Sequence, residues 1–290
     1  MYIHGENITH RIAVVVYDET WKEAMDQWFE SFVAFFFPAV HRDIDWSRGW
    51  QSRDAELRQA APDAEFGVKR ADKLVQVWRR DGAEAWLLIH VEVQSQYEAD
   101  FARRMFVYHY RIFDRYNRQV VSLAVLADDR LNWRPDWFGY DAWGCDLSFR
   151  FPIVKLLDFA ALRRTLETSS DPIAAMVLAH LTTLEAPDDE GSLLARKRQV
   201  IRSLYERGMP KQMVLELLRL VDWMIMLPKP QELLFQQEHA QWEKEKQMPY
   251  VTSFERLARE EGEAKGRAEG LRQGLLEAIE LGLKLRFGTE

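Results

Sequence analysis

The sequence is poor in cysteine, since Cys145 is the single cysteine among 290 residues. One cysteine cannot form a disulfide within the chain, and it supplies no pair for a metal site built on cysteines. This excludes a disulfide scaffold and fits a reducing compartment. Cys145 also has no basic partner close in the sequence, so no nucleophilic role is assigned to it.

Long apolar runs are also missing. No stretch approaches the roughly 18 consecutive apolar residues of a membrane-spanning helix. The N-terminus carries acidic and polar residues in place of the basic and then apolar segments of a signal peptide. We therefore expect a cytoplasmic protein that does not enter a membrane.

An excess of positive charge is absent as well, because the formal net charge is −7. This argues against binding of nucleic acid through a large basic surface, but not against an enzyme that uses a metal ion and a few arginines. What is present is an apolar fraction of 47%, with 16 Phe, 11 Trp and 9 Tyr, which is typical of a globular chain.

A buried helix is predicted near the N-terminus, where Thr20 and Glu23 resemble a capping box and Pro38 ends the pattern. Its apolar residues recur at helical spacing: Trp21, Met25, Trp28, Phe29, Phe32, Phe35 and Phe36. Glu30 lies on the same helix. It is either a solvated acidic position or an accessory residue of an active site.

The clearest β pattern is a hairpin. Alternation predicts one strand over residues 73–78 and a second over residues 85–94, and Asp81-Gly82 between them is typical of a tight turn. The second strand is apolar over most of its length but ends on polar residues, which is costly in a sheet interior unless those residues have a partner.

The turn also sets a register. With a two-residue turn, Arg80 lies opposite Ala83 and Asp72 lies opposite Val91, beside Glu92. Two carboxylates are therefore expected to converge at one end of the hairpin. A metal ion between them would explain why a buried strand ends on an acidic residue.

The end of the second strand carries the residue types that metal-dependent phosphodiester hydrolysis needs. His90, Glu92 and Gln94 share one face of the strand, because side chains alternate. Carboxylates from two strands can hold Mg²⁺, the main-chain carbonyl of Val93 can be a further oxygen ligand, and Gln94 points at the attacking water. His90 is either a base or a core residue.

A helix is predicted over residues 97–116. Arg104, Tyr108, Arg111 and Arg115 are spaced along one of its faces. The arginines either lie on an ordinary solvated face or approach a phosphate group. Tyr108 is either a core residue or an accessory residue that stacks or hydrogen-bonds near the site.

The rest of the chain divides into a sheet part and a helical part. An interior strand is predicted over residues 119–126 and one or two strands within residues 138–156, which gives an α/β fold of mixed strand pairing. Amphipathic patterns then predict helices over residues 157–166, 172–184, 195–207 and 211–226, closed by Pro228 and Pro230. We therefore expect an α/β domain over residues 1–156, a helical region over 157–235 and a charged helical tail over 236–290.

Glycine recurs at every fourth position in the tail between residues 262 and 274. Each glycine inside a helix costs about 0.5 to 1 kcal/mol relative to alanine, so such a helix needs a partner lying close against it. The repeat predicts either self-association through this helix, which would give a homo-oligomer, or docking on another chain. A flexible charged linker is the alternative.

Three motifs, at residues 69–75, 88–96 and 101–108, together resemble a known family. Over residues 20–155 the chain is similar to the Rpn-like (YhgA-like) transposase-related proteins of the PD-(D/E)XK nuclease superfamily. The resemblance implies a mixed sheet flanked by helices. It also implies DNA cleavage that depends on Mg²⁺, with Mn²⁺ as a substitute, linked to recombination or mobile elements in bacteria.

The resemblance assigns Asp72 and Glu92 as metal ligands and places Gln94 where the wider superfamily usually has lysine. A lysine adds positive charge that orients hydroxide and offsets the charge of the phosphorane, whereas an amide only hydrogen-bonds. Arg103 or Arg104 could supply that charge, because the helix follows the strand closely.

The leading hypothesis is a Mg²⁺-dependent DNA endonuclease that uses Asp72, Glu92, Gln94 and Arg104. The alternative is a weakly active or inactive nuclease fold that serves as a DNA-binding or assembly module. A scaffold whose purpose lies in the helical half and the tail is a third hypothesis.

Overall fold

The computed structural model describes residues 17, 19–60, 73–92, 100–184 and 190–246, apart from the side chains of residues 84, 86–92, 190–192 and 239–246. The chain divides into two compact units, Met1–Pro228 and Lys229–Glu290. The expected boundaries after residues 156 and 235 stay predictions. The glycine repeat of the tail lies outside the described residues.

The first unit is mixed α/β, as the sequence predicts. Its helices are α1 (residues 19–27), α2 (Phe29–Phe36), α3 (Pro38–Asp43), α4 (Asp54–Ala60), α5 (Phe101–Tyr116), α6 (Arg163–Thr168), α7 (Pro172–Leu184), α8 (Glu190–Glu206) and α9 (Lys211–Met224), with 3₁₀ turns at Trp46–Arg48 and Leu156–Leu162. Its strands are β1 (Gln51–Ser52), β2 (Lys73–Trp78), β3 (Glu84–Glu92), β4 (Val120–Leu126), β5 (Trp137–Ala142), β6 (Cys145–Arg150) and β7 (Ile153–Lys155). The second unit is described over α10 (Lys229–Lys246).

One sheet of five strands has the order β1-β2-β3-β4-β7, and β5 and β6 form a separate hairpin. β1, β2 and β3 are antiparallel neighbours, whereas β3, β4 and β7 run parallel. A parallel neighbour cannot be reached through a tight turn, so the chain crosses from β3 to β4 through α5. The expected mixed pairing is confirmed, and the region within residues 138–156 holds three strands where one or two are predicted.

The register of the β2–β3 hairpin differs from the predicted one by a residue. Lys73 pairs with Ile89, where the two-residue turn would place it opposite His90. The loop has three residues, because the Arg79 amide donates to the Ala83 carbonyl at 2.8 Å and the third loop residue, Gly82, has a positive φ of 87°. An Asp-Gly pair is compatible with two-residue and with three-residue hairpin loops, so the sequence alone does not fix the register.

Two predicted helix signals have a different meaning in the structure. Thr20 already lies inside α1 and is buried, and the Glu23 side chain accepts hydrogen bonds from Gln27 and Arg219, so the predicted capping box is wrong. Pro230 lies in the first turn of α10 and therefore begins a helix instead of closing one. Pro38, by contrast, follows the end of α2 as predicted and begins α3.

The helical half packs around α7. Its residues from Pro172 to Thr182 are all buried, which follows from a sequence that is apolar on every side. α7 contacts α6, α8 and α9, and it also contacts α2 in the N-terminal part of the unit. The helical half is therefore packed directly against the first half of the chain. None of the described helices is both long enough and apolar enough to cross a membrane.

A buried ion pair joins two of these helices. The Lys197 ammonium of α8 lies 2.6 Å from the Asp222 carboxylate of α9, and both side chains are fully buried. Because both charges are withdrawn from water, removing one of them leaves the other buried without its counter-ion, which destabilises the folded protein.

We expect Lys197→Met to destabilise the protein by about 3 to 5 kcal/mol, because the buried carboxylate loses its cation. The double variant Lys197→Met/Asp222→Leu should recover most of that loss. Thermal unfolding followed by helical circular dichroism measures both. Arg134→Met, which breaks the exposed pair with Asp158, is the control and should cost no more than about 1 kcal/mol. A double variant as unstable as Lys197→Met alone would contradict the explanation.

Candidate active site

The backbone of Glu92 lies at the edge of the sheet where β3, β4 and β7 end and β2 begins. Glu92 pairs with Leu126 in the parallel β3–β4 ladder, and Leu126 pairs with Lys155 of β7. Lys73, the first residue of β2, pairs with Ile89 near the same end of β3. The backbone therefore brings the carboxyl ends of three strands and the start of a fourth to one edge.

Several predicted site residues are beyond what the structure describes. Asp72, Val93 and Gln94 lie outside the described residues, and so do the side chains of His90 and Glu92, whose backbone belongs to β3. Their predicted roles stay predictions. The described neighbours of these positions define the surroundings of the site.

Lys73 is the first of these neighbours, directly after Asp72 in the chain. Its side chain is fully buried, and its ammonium contacts the Asp26 carboxylate of α1 and lies 3.5 Å from the Asp54 carboxylate of α4. Asp54 also accepts a hydrogen bond from the Leu74 amide at 3.0 Å. The start of β2 is thus fixed by two acidic residues from the preceding helices.

A second buried cation, Lys155, lies at the same edge of the sheet, at the end of β7. The Lys155 ammonium lies 2.5 Å from the Asp128 carboxylate, with exposed side-chain fractions of 0% and 2%. Burial lowers the pKa of Lys155 from its usual value, and Asp128 opposes that shift. Lys155 also donates to the Trp133 carbonyl at 3.4 Å. This pair fixes the ends of β4 and β7 against each other.

Neither lysine is predicted as part of the site from the sequence, because the acidic partners of both are distant in the chain. One signal was available. A lysine at the end of an otherwise apolar strand is rarely buried without a carboxylate, so Lys73 and Lys155 each predict an acidic neighbour. The sequence does not indicate which carboxylate supplies it.

The first turn of α5 carries the two arginines considered for phosphate contact. Arg104 is 1% exposed and its guanidinium lies 5.3 Å from the centre of the Phe101 ring. Arg103 has a side chain that is 51% exposed and lies 3.6 Å from the Asp100 carboxylate. Arg103 can therefore contact a phosphate group of a bound substrate from the protein surface, whereas the Arg104 side chain lies in the interior.

The face of α5 that follows Arg104 contacts α4, with Tyr108 buried and Arg115 exposed. Tyr108 is 6% exposed and belongs to an apolar cluster with Leu57 and Ala60 of α4. Arg115 donates to the Gln59 carbonyl at 3.1 Å. The core interpretation of Tyr108 therefore fits its surroundings, and Arg115 ties two helices together. Arg111 is partly buried on the same helix.

Glu30 is a mostly solvated residue of α2. Its side chain is 60% exposed and lies 3.6 Å from the His41 imidazole of α3. This exposure fits the interpretation of Glu30 as a solvated acidic residue. Among the described residues, its contact is with His41 and not with a residue at the sheet edge.

A buried histidine connects the sheet edge to the helical half. His180 of α7 bonds through Nε2 to the carbonyl of Ala127, at 3.1 Å, and its Nδ1 accepts a hydrogen bond from the Trp21 indole at 3.1 Å. Ala127 is the residue before Asp128. Since the indole only donates, Nδ1 carries no proton and Nε2 donates to the carbonyl. Burial lowers the pKa of His180 from 6.5 to about 4, so the ring is neutral at pH 7.

Among the described residues, which leave out Asp72 and the Glu92 side chain, no group of three or more His, Cys, Asp or Glu residues is placed to hold a metal ion. Comparison with protein-family models, with curated proteins and with solved structures found no match to this chain.

Protonation of His180 gives a testable pH dependence. Between pH 6.5 and about 4 the unfolded chain binds a proton at this residue that the folded chain does not, so stability falls as the pH is lowered through this window. The shift corresponds to about 3 kcal/mol, fully lost below pH 4. We expect His180→Gln to remove this part of the pH dependence of urea unfolding between pH 4 and 7. An unchanged slope in the variant would show that other groups cause it.

Proposed function

We propose that the chain is a Mg²⁺-dependent DNA endonuclease with a PD-(D/E)XK-like fold. The observation that supports this most is the strand arrangement. An antiparallel hairpin is followed by a helix and a strand parallel to its second member, which puts the backbone of Glu92 at the edge where β2 begins. Asp72 is the residue directly before β2.

The proposed donor set suits the ion. Two carboxylates, Asp72 and Glu92, and the main-chain carbonyl of Val93 are hard oxygen ligands of the kind that Mg²⁺ prefers. When bound, the ion would polarise the scissile phosphate and lower the pKa of a water molecule. Gln94 would orient the attacking water through its amide oxygen, which accepts a hydrogen bond but carries no charge.

The missing lysine charge has to come from elsewhere in the proposed site. Lys73 and Lys155 lie at the same edge, but each is held by carboxylates, and their burial keeps them from phosphate. Arg104 is interior and contributes its charge through the protein. Arg103 is the exposed arginine of the first α5 turn, and we assign it the contact to the DNA backbone.

A second function is supported by Gln94 and by the net charge of −7. Without the usual lysine and with a negative net charge, the same fold would be catalytically weak or inactive and would serve as a DNA-binding or oligomeric assembly module. Metal-dependent cleavage of DNA that requires the two carboxylates is expected of the nuclease and not of the inactive module.

We expect Asp72→Asn and Glu92→Gln each to lower Mg²⁺-dependent nicking of supercoiled plasmid at least about a hundredfold, because each removes a charged ligand of the ion. Asp114→Asn is the matched control, since this exposed carboxylate lies near the other end of α5. Circular dichroism should show an unchanged fold in all three variants. Equal cleavage by the wild type and both ligand variants would refute the assignment.

Calorimetric titration gives the second test. We expect the wild type to bind Mn²⁺ or Mg²⁺ and Glu92→Gln to bind it at least about tenfold more weakly, because carboxylate charge dominates the affinity of such sites. Metal binding without cleavage would favour the inactive module. The absence of any metal binding by the wild type would contradict the nuclease proposal.

A further inference from the structure

The β5–β6 hairpin leaves a strand edge open. It forms a two-stranded sheet, and within the described part of the chain no strand pairs with the outer edge of β6. Trp143 and Gly144 form a two-residue turn in which both have positive φ, of 55° and 80°. In such a hairpin the backbone groups of Cys145 and of every second residue after it point inward. Those of Asp146, Ser148 and Arg150 therefore point outward along the free edge.

One face of the hairpin is covered by α5. The Phe106 ring of α5 lies 5.2 Å from the Phe138 ring and 5.7 Å from the Phe149 ring, centre to centre. The opposite face carries Asp146, Ser148 and Arg150, and all three are exposed. The hairpin thus packs on α5 through one face, while the polar side chains of its other face remain exposed to water.

The charges on this face are unbalanced within one copy. Asp141 of β5 lies directly opposite Asp146 of β6, so two carboxylates face each other across the hairpin. Like charges at directly opposed positions destabilise a strand pair. Arg150 lies opposite Trp137, which has no charge. No cation therefore lies across the hairpin from Asp146, and no carboxylate lies across the hairpin from Arg150.

We propose that two copies of the chain pair antiparallel along β6, about a two-fold axis at Ser148. In this register Asp146 lies opposite Arg150 of the second copy, and the symmetry repeats the pair. Leu147 lies opposite Phe149 of the second copy on the face toward α5. The outward backbone groups of both copies then hydrogen-bond, and each carboxylate that faced Asp141 gains a cation.

The order of charges along β6 favours a second copy over another partner. A strand that pairs with itself about a central residue needs opposite charges at equal distances from that residue, and Asp146 and Arg150 are each two residues from Ser148. β5 contains no basic residue, so its outer edge cannot pair in this way. The competing explanation is that the two charges protect an exposed edge from pairing, as they do in many monomers.

Sedimentation equilibrium of the full chain tests the proposal. The wild type should show a mass of two chains, and Asp146→Arg or Arg150→Asp should weaken the association at least about tenfold by placing like charges opposite each other twice. An equimolar mixture of these two variants should restore the two-chain mass, because opposite charges then meet at both positions. The double variant Asp146→Arg/Arg150→Asp should restore it too. A monomeric wild type, or single variants that associate as the wild type does, would overturn the proposal.

A cross-link locates the contact independently of association elsewhere in the chain. In a Cys145→Ser background, Ser148→Cys should be linked between copies by a bismaleimide of about 8 Å, since paired Cα atoms at the axis lie about 5.5 Å apart. Asp141→Cys in the same background is the control, because strand spacing puts those residues about 20 Å apart in the proposed pair. Equal cross-linking of both variants, or none with Ser148→Cys, would refute pairing along β6.

Discussion

The position of the candidate site depends on the parallel pairing of β3 with β4. Parallel strands end at the same edge, so pairing Glu92 with Leu126 puts the end of β3 beside the residues that follow β4. The crossover has to return the chain to the start of β4, which places the first turn of α5, with Arg103, near the end of β3. Because β2 is antiparallel to β3, its first residue, Lys73, joins this edge.

The same edge holds two fully buried lysine side chains that are paired with carboxylates, of which Asp128 is buried and Asp26 is 51% exposed. Lys73 contacts Asp26 and Asp54, and Lys155 contacts Asp128. Removing one partner of a buried pair costs more than the pair itself contributes, so these contacts fix the strand ends as long as both partners remain. The lysines therefore belong to the framework of the edge. Their charge is already balanced and is not available to a phosphate group.

The local patterns of the sequence predict elements better than they predict contacts. Strand β2, the crossover helix α5 and the interior strand β4 follow from alternation, amphipathic spacing and apolar runs. The two-residue strand β1 is too short to give a pattern. The β2–β3 register was wrong by one residue because Asp-Gly suits two loop lengths, and only a pairing such as Lys73 with Ile89 distinguishes them.

The candidate site was predictable to a smaller extent, because its surroundings are made by contacts between distant segments. Periodicity aligned Arg104, Tyr108 and Arg115 on one face of α5, but it did not show that α4 covers the later part of this face. It also gave no sign that His180 holds Ala127, since that contact joins the sheet to α7. Such contacts decide which polar residues of a predicted face stay in water.

The balance of charge at the edge makes Gln94 the decisive residue of the proposed site. Two carboxylate ligands neutralise a divalent ion, so the bound ion brings no excess positive charge to a phosphate. In the nuclease superfamily that the sequence resembles, a lysine adds that charge, whereas Lys73 and Lys155 at this edge are already paired with their own carboxylates. In the proposed nuclease the exposed guanidinium of Arg103 would supply positive charge to the DNA backbone, and the nearby Asp100 carboxylate would reduce it. Catalysis at the proposed site would rely on the ion to polarise the phosphate and on Gln94 to orient the water, without the additional charge of a lysine.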